Sequence, residues 1–364
     1  MADLRPAARV PLLVLGMLSL LGGVLAGLSR LDWTVPSVAA ASAGWHGALM
    51  ISAFLGTVIS LERAVALGRG WAYLAPAAAG IGGVALLAGA PLILTQVLTA
   101  IAAATLVAAS IQVLRRLVAP FTVILAVGAL CWLVGNLAWL AGGALTAAVP
   151  WWLAFLVLTI AGERLELTRF LPARAGAQRL FFVIVGGILA GATISFWQED
   201  AGLRLFAAGL LALAVWLLRY DIARRNAQQQ GLVRFIAVCL LSGYAWLVLA
   251  GLLGVAGGFL PGHPWRDATL HAVGLGFVFS MIFGHAPIIF PAVVQVKIPY
   301  HPVFYLPLLV LHASLALRIF GTLGNNFPLR ADGGLFNAIA LLLFIATLLA
   351  SVVRGRRQTR GTAA

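Results

Sequence analysis

The sequence predicts an all-α integral membrane protein with about twelve transmembrane helices, and three observations predict it. Only 9% of the 364 residues are charged and 62% are hydrophobic, whereas a soluble domain carries about 25% charged residues. The apolar residues fall into runs close to the roughly 20 residues that cross a bilayer. The basic residues lie between those runs and sort largely to one side. Lys and Arg number 24 against 10 Asp and Glu, a formal net charge of +14. In a soluble chain that excess would suggest nucleic acid. Between apolar runs it reads as a topology signal and as contact with anionic headgroups. The expected partner is therefore a lipid bilayer and not nucleic acid.

The runs follow one another in order. The first, 10–29, precedes no small-residue cleavage site and reads as a retained helix. The second, 45–67, opens on "WHGALM" and ends on Glu62 and Arg63. Pro91 divides the third, 72–90, from the fourth, 92–114. The fifth, 119–145, holds Cys131, and the sixth, 149–170, ends on Glu163 and Arg164. The seventh and eighth, 178–197 and 201–219, flank a turn with Asp200. The ninth, 232–259, holds Cys239, and the tenth, 267–293, holds His271, His285, Pro287 and Pro291. The eleventh, 301–322, opens on His301 and contains His312; the twelfth, 334–353, leads into a basic tail, 354–364. The two cysteines form no CxxC pair and read as reduced core residues.

Arg5, Arg9, Arg69, Arg115, Arg116, Arg169, Arg174, Arg179, Arg219, Arg224, Arg225, Lys297, Arg354, Arg356, Arg357 and Arg360 fall on one side. Arg30, Arg204, Arg266 and Arg330 fall on the other, each near an acid: Asp32, Asp200, Asp267 and Asp332. The positive-inside rule places both termini in the cytoplasm, and an even helix count agrees. The expectation is a multi-pass protein of a bacterial-type cytoplasmic (inner) membrane. No linker divides the chain, which reads as a single transmembrane domain.

An internal repeat runs through it. Phe54, Phe155 and Phe277, at offsets of 101 and 122 residues, are each followed eight residues later by Glu62, Glu163 or His285. Cys131 and Gly135 match Cys239 and Gly243 at an offset of 108. Three pseudo-repeated four-helix units follow, at roughly 1–116, 117–228 and 229–353. Such repeats often pack about a pseudo-symmetry axis, with sites among them.

That topology sorts the histidines. Even-numbered spans run from outside to inside, so His46 and His271 both sit near the outer face, on equivalent helices of the first and third units. The middle unit has Trp151 and Trp152 there. Two neutral imidazoles can ligate a haem iron, each with a second-shell acceptor on its other nitrogen. Gly47, Ala48, Gly274 and Gly276 would keep the helix surfaces low for a flat macrocycle, although small residues also serve close helix packing. A lone histidine at a helix start can simply reach water; matched depth and matched repeat position favour the pair as ligands. His285 lies fourteen residues beyond His271, about 21 Å at the helical rise, and cannot serve the same metal. It is level with Glu62 and Glu163 towards the inner side. With Arg63, Arg164 and His301 these residues would form an inner polar cluster, a proton path or an anion site. Glu–Arg pairs also cap inner helix ends and hydrate there. His312, at mid-depth, reads as an uncharged, hydrogen-bonded core residue, and His263 as a loop residue.

These residues resemble a known family. Twelve helices in three four-helix units, with histidines opening the second and tenth, resemble subunit I of haem-copper oxidases. More closely, "WHGALM" (Trp45 to Met50) is similar to the Trp-His-x-x-x-Met opening of the second helix in the NnrS family. "HAVGLGFVFSM" (His271 to Met281) is similar to that family's His-Ala-x3-Gly-x4-Met segment. The resemblance implies a haem- and copper-containing membrane protein linked to nitric oxide and nitrogen-oxide metabolism. Spans six and seven lack the histidines of the oxidase copper site, which argues against oxygen reduction by that chemistry. Ala48 and Leu49 stand where NnrS-type sequences carry a further His and Glu, which puts copper in doubt.

The expected protein is therefore NnrS-like, with a b-type haem held near the outer face by His46 and His271. Its role would be electron transfer with a redox partner protein, or response to nitric oxide. Whether it turns over as an enzyme is left open. Two other readings stand beside it: a proton-coupled secondary transporter using Glu62, Glu163 and His285, and an accessory subunit of a respiratory complex.

Overall fold

In the computed structural model, which describes residues 3–168 and 175–361, twelve long helices replace the twelve apolar runs. They are α1 Pro6–Ser29, α2 Ala48–Leu67, α3 Gly70–Leu87, α4 Leu92–Arg116, α5 Pro120–Leu140 and α6 Leu145–Leu167. Then follow α7 Gly176–Ile194, α8 Glu199–Tyr220, α9 Gly231–Gly258, α10 Arg266–Val294, α11 Pro302–Leu323 and α12 Phe327–Gln358. No strand occurs among the described residues. This is an all-α, multi-pass membrane protein. Its outward side chains agree: Val183, Leu309, Phe320 and Leu349 are each more than 60% exposed, tolerable where the surroundings are hydrocarbon and not water. Arg169, Arg174 and residues 362–364 lie outside the described residues.

Local chemistry sets the helix ends. Pro91 precedes α4 and Pro120 opens α5, where a missing N–H costs nothing. Thr122 Oγ1 accepts the Ala119 N–H at 3.0 Å. Glu199 and Asp200 occupy the first turn of α8 and Arg219 its last, each opposing the helix dipole. Several boundaries differ from the expectation by a few residues, and two of the differences have a visible cause. The fifth helix stops at Leu140, because Gly142 adopts a left-handed φ of 85°. The twelfth starts at Phe327 instead of 334, since Asn326 Oδ1 accepts the Leu329 N–H at 3.0 Å and caps it. Arg330 and Asp332, expected in the loop, therefore lie in its first turns.

Three stretches depart from α geometry. π-helical turns run over Ala48–Leu55 at the start of α2 and Ala272–Phe279 within α10, and the end of α9, Gly254–Gly258, is kinked at Gly257, whose φ is 103°.

The chain divides into two compact units, Met1–Glu163 and Arg164–Ala364. In the first, α1 packs on α2 and α3, α3 on α4, and α4 on α5. Trp132 stacks on Phe155 at 5.1 Å, joining α5 to α6. A buried polar chain runs through this unit. Trp132 Nε1 donates to Ser52 Oγ (3.0 Å), which donates to Asn136 Oδ1 (2.8 Å); Asn136 Nδ2 donates to the Thr99 carbonyl (3.3 Å). In the second unit α7 packs on α8, α8 and α10 on α9, and α11 on α12. Its core is aromatic, with Phe206, Phe235, Tyr244, Phe277, Phe283 and Phe304 fully buried.

Candidate functional site

In the first unit, a 3₁₀ turn, Ala43–Trp45, delivers His46 to the π segment of α2. Helix α1 makes room for its ring. A Cβ on Gly27 would lie 2.7 Å from His46 Cε1 and 2.8 Å from Nδ1. One turn earlier, the Gly23 carbonyl stands 2.6 Å from Nδ1. A carbonyl can only accept, so Nδ1 carries the proton. In the neutral ring the lone pair then resides on Nε2, the tautomer that binds a metal.

His271, in the second unit, also bonds a main-chain carbonyl through Nδ1, here one of its own helix. It closes the first helical turns of α10, Arg266–His271, directly ahead of the π segment Ala272–Phe279. Its Nδ1 donates to the Asp267 carbonyl at 2.8 Å, so its Nε2 also carries the lone pair. The Asp267 carboxylate lies beside the same nitrogen, with Oδ1 at 3.4 Å. Arg318 on α11 grips that carboxylate with both arms, Nη2 to Oδ1 at 2.7 Å and Nε to Oδ2 at 2.8 Å. Thus each histidine holds a main-chain carbonyl through Nδ1 and precedes an eight-residue π segment. π turns are rare and concentrate at functional sites. Helix α6, with Trp151 and Trp152 at the corresponding place, is regular α-helix, and Trp152 packs edge-on to Trp139 at 5.6 Å.

The small residues expected to flank a macrocycle divide into two kinds. Ala48 is buried, and a Cβ on Gly276 would meet Trp246 at 2.5 Å, so these two serve helix packing. A Cβ on Gly47 or Gly274 would meet nothing within 4 Å. Packing inside its own unit explains neither, and each leaves open space one and three residues beyond its histidine. Among the described residues, no group of three or more His, Cys, Asp and Glu side chains is placed to hold a metal ion.

The inner groups have definite partners. Arg63 and Glu163 form an ion pair within the first unit. Arg164 turns to Asp221, with Nε to Oδ2 at 2.8 Å and Nη2 to Oδ1 at 3.1 Å. Tyr244 Oη and the Ala223 N–H also donate to Asp221, at 3.0 and 2.6 Å. The whole group is buried and reads as a clasp that holds α6, α9 and the segment after α8. His285 Nδ1 donates to the Met281 carbonyl at 2.7 Å. His301 is exposed, and its Nδ1 accepts the Val303 N–H at 3.1 Å. Glu62 is half-buried.

His312 shows the contrasting tautomer. Trp246 Nε1 donates to its Nδ1 at 2.9 Å, and its Nε2 faces Ser242 Oγ at 3.0 Å. Both nitrogens are occupied, as befits the hydrogen-bonded core residue expected. His263 lies in the turn before α10, accepting the Trp265 N–H at 3.1 Å.

Sequence reading missed Arg318, Asp221 and Tyr244. Arg318 did carry a signal, since a cation inside an apolar run requires a partner.

A family model described as "Domain of unknown function (DUF8744)" matches residues 9–353. No curated protein matches the chain.

Proposed function

We propose, from the premise that the chain belongs to the DUF8744 family, that it binds haem b, with His46 and His271 as the residues that would hold the iron. The observation that carries this reading is the shared build of the two histidines. Each donates Nδ1–H to a backbone carbonyl, presents the Nε2 lone pair, and opens a π segment. The carbonyls of Gly23 and Asp267 fix ring orientation and tautomer, which is the usual task of groups behind a metal-ligating histidine. Gly47 and Gly274 leave the adjoining helix surface bare. The likeness of both segments to NnrS proteins supports the same assignment.

A haem held by two imidazoles would supply one-electron transfer or redox sensing, and would take nitric oxide only after one ligand left. On this reading the protein is an electron carrier or redox sensor of a cytoplasmic membrane, with both termini inside. A second reading, a proton-coupled transporter, would use Glu62, Glu163 and His285; Glu163 is paired with Arg63, and His285 Nδ1 donates to the Met281 carbonyl.

An optical spectrum of protein purified from haem-replete cells tests the assignment. Sharp reduced b-type bands are expected in the parent, and their loss in both His46→Ala and His271→Ala. A colourless parent, or bands that survive in either variant, would overturn it.

A further inference from the structure

The Arg318–Asp267–His271 chain carries a consequence of its own. Asp267 approaches the His271 ring twice, through its main-chain carbonyl at 2.8 Å and its carboxylate at 3.4 Å. Arg318 holds that carboxylate bidentately, a geometry that fixes a planar anion in one orientation. The Arg318 side chain is only 9% exposed, so the pair is largely removed from water and its field is weakly screened. His46 differs here, because its Nδ1 faces the Gly23 carbonyl. Two otherwise similar imidazoles therefore have different electrostatic surroundings.

We infer that Asp267 and Arg318 are positioning residues that raise the electron density of the His271 ring and so set the potential of a haem that His271 ligates. Negative charge behind Nδ1–H draws its proton and raises electron density at Nε2. A more basic axial imidazole favours the oxidised iron and lowers the potential. Arg318 limits that effect, since its cation offsets part of the carboxylate field. The two residues therefore act with opposite sign. This inference rests on the haem reading above.

Redox titration, followed by the haem bands of the intact protein, tests it. Asp267→Asn keeps the shape and removes the charge, so the midpoint potential should move positive. Arg318→Gln leaves the carboxylate uncompensated beside the ring, so the potential should move negative. If one variant fails to fold, the sign given by the other decides. A purely structural role would lower haem occupancy without moving the potential of the haem that remains. An unmoved potential, shifts of the same sign, or a folded Asp267→Asn protein without haem would overturn the inference while leaving the haem reading intact. A colourless parent protein would instead overturn the haem reading.

Discussion

One methyl group separates the His46 pocket from its loss. Gly27 lies where an added Cβ would come within 2.8 Å of the imidazole Nδ1, closer than packed carbon and nitrogen tolerate, so the ring must swing away from the Gly23 carbonyl. Gly27→Ala should therefore reduce haem content much as His46→Ala does. Gly47 makes the converse case. It has helical dihedrals, and its added Cβ would meet nothing. In an empty site Gly47→Ala should leave stability unchanged or raise it by up to about 1 kcal/mol, the ordinary helical gain over glycine. If a macrocycle lies against that surface, the same methyl should lower haem occupancy. Haem-to-protein ratio and thermal midpoint, measured together, separate the two cases. A Gly47→Ala protein with full haem content would place the ring elsewhere.

At the scale of the helix, the π segments are predicted to set where the histidines point. An i→i+5 ladder absorbs about one residue more than an α ladder, and one residue is about 100° of rotation at 3.6 per turn. Deleting Ile51 should restore regular α geometry in α2 and turn His46 away from Gly23. Far-UV circular dichroism should then report unchanged helicity while the haem bands fall. Full bands in the deletion variant would show that the π turn does not aim the ligand. This feature was hidden in the sequence, because π and α turns share one composition: Ala48–Leu55 and Ala272–Phe279 are ordinary apolar runs. The twelve spans were legible for the opposite reason, since apolar length is a one-dimensional property of the chain. The shared eight-residue step from Phe54, Phe155 and Phe277 to Glu62, Glu163 and His285 was legible too, but spacing along a chain does not name partners. Asp221 and Arg164 lie 57 residues apart, and Asp267 and Arg318 lie 51 apart. Only the folded backbone brings each pair together.

For the whole molecule, the distribution of charge is what predicts which ends face the cytoplasm. Counting residues understates the bias, because several cations on the sparser side are already engaged. Arg204 pairs with Asp200 at 2.7 Å, Arg266 donates to the Phe259 carbonyl, and Arg30 to the Ala43 carbonyl at 3.4 Å. Arg318 is clamped to Asp267. At the opposite helix ends, Arg69, Arg115, Arg116, Arg224, Arg225, Arg356 and Arg357 are exposed, where they can meet anionic headgroups. Arg9, Arg63 and Arg164 on that side are engaged as well: Arg9 is buried against Asp3, which also accepts from Tyr73 Oη at 2.6 Å, Arg63 pairs with Glu163, and Arg164 with Asp221. The 32-residue α12 is about 48 Å long at 1.5 Å per residue, well beyond a hydrocarbon core of about 30 Å. A helix of that length is predicted to carry its basic end past the bilayer. A green fluorescent protein fused after Ala364 should glow, and alkaline phosphatase fused there should be inactive. Because twelve crossings return the chain to its starting side, an N-terminal tag must report the same compartment. Reversal of both reporters would refute the charge argument alone. Disagreement between the two ends would instead mean that one of the twelve helices does not cross, and the short α3, whose apolar stretch is only 18 residues, would be the first to examine by cysteine labelling.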